Sequence, residues 1–73
     1  MKMTPWYAVG RSYQCSMRAP YCDLEVLPVD LGWQWRVCKI DPVTGRFAVV
    51  QQGTEDRLPA AKAAAVDAAN RSR

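Results

Sequence analysis

Few side chains in this 73-residue chain could do chemistry, and their types exclude most reactions. There is no histidine, so neither a Ser-His-Asp nor a Cys-His pair can form, and the commonest general base is missing. The four glycines are scattered and build no phosphate-cradling loop. Cys15, Cys22 and Cys38 are an odd number, which argues against a closed disulfide framework. Three thiols without imidazole leave a zinc site one ligand short. The expectation is three partly buried free thiols, with a Cys15–Cys22 bridge as the alternative. Asp23 and Glu25 would share a strand face as a carboxylate pair for acid–base work, as Glu25 and Asp30 would only through a bend, but such acids more often keep a strand soluble. The chain is therefore expected to be no enzyme and to hold no metal and no cofactor.

Two groupings suggest binding. Arg36, Lys39 and Arg46 lie on or beside a strand that carries Trp33 and Trp35, and cations interleaved with exposed aromatics stack and neutralise single-stranded nucleic acid. In a chain this small, large aromatics such as these tryptophans are usually needed inside the core. The second grouping is acidic: residues 21–32 hold Asp23, Glu25 and Asp30 with no base, whereas residues 1–18 hold Lys2, Arg11 and Arg18 with no acid. The net charge is only +3, short of the dense basic stripe of a committed nucleic-acid binder.

The elements that must position these groups follow from periodicity. Residues 1–73 make one small domain. Strands are expected at about 5–13, 23–29, 33–40 and 46–52, and a helix at about 58–70. Gly10 reads as a bulge or bend inside the first strand, and Cys15 to Pro20 as a loop. Pro28 cannot donate to a ladder, which points to an edge strand. Trp33 to Lys39 alternates apolar with mostly polar residues, which is strand period. Asp41-Pro42-Val43-Thr44-Gly45 suits a tight turn, with Gly45 at positive φ. The hairpin it closes pairs Lys39 with Ala48, Val37 with Val50 and Trp35 with Gln52. Both of its faces are apolar near the turn and want cover. The alanine-rich stretch after Pro59 is helical by propensity and puts Leu58, Ala61, Ala65, Ala68 and Ala69 on one side. That side should meet Trp35 and Val37, with the N-terminal strands covering the other hairpin face. The fold class is α+β: about four antiparallel strands, in one sheet or two small ones, then one C-terminal helix packed on the sheet.

Residues 33–69 resemble the DNA-binding domain of the Apetala/ethylene-response plant factors and the arm-binding domain of some phage integrases. The matching residues are Trp35, Gly45-Arg46, Gly53-Thr54 and Ala64-Ala65-Val66-Asp67-Ala68-Ala69. The resemblance implies three antiparallel strands with a helix on the sheet, and a sheet that enters the major groove. Where that family carries DNA-contacting arginines, this chain has Asp23-Leu24-Glu25-Val26, which phosphates would repel.

In size and plain β-then-α layout the chain is similar to small accessory proteins of bacteria and their prophages, including particle-assembly parts. The first expectation is thus a non-catalytic protein–protein interaction or assembly module, with Asp23, Glu25 and Asp30 as the partner-facing edge. The second is a nucleic-acid-binding module that uses Arg36, Lys39 and Arg46. No apolar run of signal-peptide length follows Met1, and nothing approaches the ~20 apolar residues of a membrane span. A cytoplasmic location is expected.

Overall fold

Alternation of apolar and polar residues runs through 12–17, 22–26 and 33–39, three of the strand segments. The computed structural model describes residues 2–18, 22–41 and 43–71, with residues 2, 3 and 18 as backbone only. The chain runs β1 (Lys2–Met3), β2 (Tyr7–Val9), β3 (Ser12–Arg18), β4 (Cys22–Val29), β5 (Gly32–Ile40), β6 (Phe47–Glu55) and α1 (Leu58–Arg71). The strands pair antiparallel in the order β1-β3-β4-β5-β6, and β2 also pairs with β3. Met3 opposes Met17 and Tyr7 opposes Gln14, so β1 and β2 lie end to end along one side of β3. The sheet is five strands wide and α1 packs on one of its faces, chiefly over β5 and β4. This is the expected α+β fold, with one more strand.

The helix-side face carries the core. Cys15, Met17, Cys22, Leu24, Val26 and Val37 are fully buried there, against Ala61, Ala65, Ala68 and Ala69 of α1. Alanine side chains let the helix backbone approach the sheet, and Trp35 packs at the margin of this cluster, as expected. Close approach recurs at Gly53, opposite Trp35 in the ladder. A Cβ on Gly53 would lie 2.7 Å from Cζ2 of the Trp35 ring, so the missing side chain is the seat of the indole. Lys62 ties the helix to the N-terminal strands: its Nζ lies 4.4 Å from the Tyr13 ring centroid and 5.5 Å from that of Trp6.

Several expectations need correction. The strand expected over 5–13 is broken by a hairpin turn at Gly10-Arg11, where Gly10 has φ 62°. The expected loop from Cys15 is instead the body of β3, in which Tyr13, Cys15 and Met17 alternate with Ser12, Gln14 and Ser16. β4 is an interior strand between β3 and β5, and Asp23 and Glu25 are not on an edge. Pro28 is tolerated because the β3–β4 ladder has already ended at Tyr13–Val26, so on that side no donor is needed. Lys39 pairs with Ala48 as expected, but a bulge then shifts the register, so Val37 opposes Gln51 and Trp35 opposes Gly53. Finally, the N-terminal strands extend the same sheet and do not cover its second face. In the 41–46 turn, Asp41 N–H donates to the Arg46 carbonyl at 2.8 Å, and Gly45 has φ 71°. Pro20, Pro42 and the side chains of Lys2 and Arg18 lie outside the described residues.

Candidate interaction face

The face away from α1 collects one residue in two from each strand. Cross-strand pairing places Gln14, Glu25 and Arg36 in one row, and Ser16, Asp23 and Cys38 in the next. The rows are stitched by polar contacts. Ser16 Oγ donates to Asp23 Oδ1 at 2.7 Å. Gln14 Nε2 donates to Glu25 Oε2 at 3.3 Å, and Arg36 approaches the other Glu25 oxygen at 3.5 Å. Arg36 also donates to Gln34 Oε1, and Tyr7 Oη to Gln14 Oε1. Asp23 has no cation beside it among the described residues.

Beside this polar band the face turns apolar. Ile40 opposes Phe47 and Cys38 opposes Val49, so these four form one corner. Ile40, Phe47 and Val49 remain 43%, 57% and 49% exposed. Between band and corner lies a shallow hollow of about 270 Å³, lined by Gln14, Asp23, Leu24, Glu25, Cys38 and Phe47. An apolar floor with a carboxylate rim accepts an apolar side chain that has a cation next to it.

The sequence-derived sites are divided by this geometry. Asp23 and Glu25 come together on the open face, whereas Asp30 sits in the exposed β4–β5 turn at the far end of the strand. Arg36 shares the open face and is paired with Glu25. Trp33 and Trp35 point to the other side, half-buried, with Trp33 6.1 Å from the Tyr13 ring. Lys39 alternates onto that same side, and Arg46 ends the turn before β6. The tryptophans and Arg36 therefore do not form one stacking surface. The apolar corner was missed by sequence reasoning. Ile40, Phe47 and Val49 share one face of the hairpin, the face expected to be covered by the N-terminal strands, which instead extend the sheet.

All three cysteines are unbonded. Burial, followed by the nearby Cys22 and Asp23, pushes the Cys15 thiol up to about 11. Cys22 and Cys38 are also raised, first by burial. Such thiols are poor nucleophiles at neutral pH. A folded-state pKa above the unfolded value of 9.0 stabilises fully below pH 9, and that stability is lost as pH rises towards 11. That rise from 9.0 to about 11 is worth on the order of 2–3 kcal/mol. Urea melts at pH 8 and pH 10.5 should thus show an alkaline loss that is smaller in Cys15→Ala. An equal loss in both proteins would refute the assignment to Cys15.

Comparison of the chain with protein-family models, with curated proteins and with solved structures finds no match. The β4-β5-β6-α1 unit does have the three-strand-and-helix order that the DNA-binding resemblance implies. Two further strand positions extend the sheet beyond it. Among the described residues no helix is long and apolar enough to cross a membrane.

Proposed function

We propose that this protein is a non-catalytic interaction module that docks another polypeptide on the open face of its sheet. One observation carries the reading: a sheet face left bare by the helix, with an apolar corner at Ile40, Phe47 and Val49 next to Asp23, which has no cation beside it among the described residues. A single-layer cover over a two-faced sheet is what a part completed by its partner would have. The partner's complementary feature is a large apolar side chain beside a lysine or arginine. Asp23 and Glu25, expected on an edge, serve this reading better on a face, where they rim the hollow. The small-accessory-protein type suggested by size and layout is compatible with it.

The nucleic-acid reading is weaker, because Arg36 lies on the opposite side of the sheet from Lys39 and the tryptophans, and the open face has acids at its centre. A photo-crosslinking residue at Val49 should capture a host polypeptide. That capture should be lost in Phe47→Asp and in Asp23→Lys, and kept in Asp67→Lys, which alters the exposed side of α1. The reading fails if capture is indifferent to positions 47 and 23. It also fails if the wild type binds DNA tightly at physiological salt and loses that binding steeply as salt rises.

A further inference from the structure

β6 is the last strand in the order, and its outer side has no neighbour among the described residues. Natural edges of this length are usually guarded by lysine, proline or other charges. From Phe47 to Thr54, β6 has no charge and no proline, and all of these residues but Gly53 are exposed. Its charges stand at its ends with opposite sign: Arg46 precedes the strand and Glu55 closes it. Neither has an ion-pair partner among the described residues.

We infer that a second copy of this chain adds to this edge, β6 against β6 and antiparallel about a two-fold axis, giving one continuous sheet with both helices on the same side. Charge complementarity selects this occupant. A strand that begins with a cation and ends with an anion matches its own antiparallel copy at both ends. The two-fold axis closes the assembly at two chains and leaves no further β6 edge to grow.

The bulge makes the register workable. Arg46 and Glu55 are an odd number of residues apart, and in a regular strand such residues point to opposite faces and cannot oppose each other. The extra residue at Val50, between the pairs Cys38–Val49 and Val37–Gln51, restores the match. With Arg46 opposite the partner's Glu55, Phe47 meets the partner's Thr54 and Val49 meets the partner's Gln52, all on the open face. Ala48 meets the partner's Gly53 on the helix side. Gln51 then lies at the axis, with Val50, the extra residue, next to it. The bulge, which would deter a partner strand of regular register, sets the register of self-pairing.

The test is sedimentation velocity from low micromolar to near-millimolar protein. The wild type should pass from monomer to dimer. Arg46→Glu and Glu55→Lys each oppose like charges at both ends of the pairing and should weaken the dimer roughly tenfold or more. The double variant should return to within about threefold of the wild type. Circular dichroism melts check that each variant is folded. Should a charge variant fail to fold, Val50→Asp sets one carboxylate on each side of the axis, inside the pairing, and should abolish the dimer alone. A wild type that stays monomeric overturns the inference, as does a dimer that the double variant fails to restore or that Val50→Asp leaves intact.

Discussion

Gly32→Ala is expected to abolish the cooperative melt at room temperature. Gly32 opens β5 with φ 153°, a region that only glycine occupies at low cost. Strain of this kind costs about 1–3 kcal/mol. The surroundings add to it. A Cβ at this position would overlap the Glu55 carbonyl oxygen, and would lie 3.2 Å from the Glu55 carbonyl carbon and 3.3 Å from Asp56 Cα. All three are backbone atoms, so no side chain can swing away. They also sit where β6 ends and the chain turns into α1. Relief therefore means pulling the end of β6, and the entry to the helix, away from β5. A domain of this size has roughly 3–5 kcal/mol in total, and strain plus displacement uses most of it. Gly10→Ala is the matched control. Gly10 has φ 62° with nothing within 4 Å of its added Cβ, so only the conformational cost of about 1 kcal/mol applies. Urea titrations of both variants test this. A Gly32→Ala midpoint no lower than that of Gly10→Ala would show that the strand ends have room to move.

Much of this architecture is visible in the residue order, and the failures have identifiable causes. The alternation from Trp33 to Lys39 locates β5, the alanine spacing locates the buried side of α1, and Gly45 marks its turn. β3 is hidden because Cys15 to Pro20 reads as a loop, although Ser12 to Met17 alternates as regularly as β5 does. Gly10 was read as a bend inside a strand when it is the corner of a hairpin, a distinction that depends on which segments pair and not on Gly10 itself. Pro28 signals a missing donor but cannot say which neighbour is absent. Here β3 has ended before Pro28 is reached, and β4 stays central. The extra residue in β6 leaves no trace in the run Val49-Val50-Gln51-Gln52, because either valine fits either face. The candidate site suffered most from topology. Asp23 and Glu25 were identified as a pair, but their surroundings depend on whether the N-terminal strands stack on the hairpin or extend its sheet. Both arrangements satisfy the same hydrophobic pattern. Extension wins because Cys15 and Met17 join Leu24 and Val37 in a single layer beneath α1, which completes one core.

That single layer makes Leu24→Ala the second large effect. Leu24 lies in the central strand, with Cys15 on one side and Val37 on the other. It is fully buried and is among the largest side chains that are. Removing its branched end takes away transfer free energy and leaves a cavity, together costing about 2–5 kcal/mol. The site has little means to collapse. Its neighbours above are Ala65, Ala68 and Ala69, which have no longer rotamers to extend into the gap, and the sheet beneath is held by ladders on both sides of β4. The cost should therefore fall in the upper half of the range. Set against roughly 3–5 kcal/mol for a chain this small, most molecules would be unfolded in water at room temperature. Leu24→Met, which nearly conserves volume, should cost less than about 1.5 kcal/mol and retain a cooperative transition. Denaturant titration read by tryptophan fluorescence separates the cases, since Trp35 packs against the same cluster. If Leu24→Ala melts within about 1 kcal/mol of the wild type, then α1 can settle onto β4 to close the gap, and the alanine face is a soft contact instead of a fixed one.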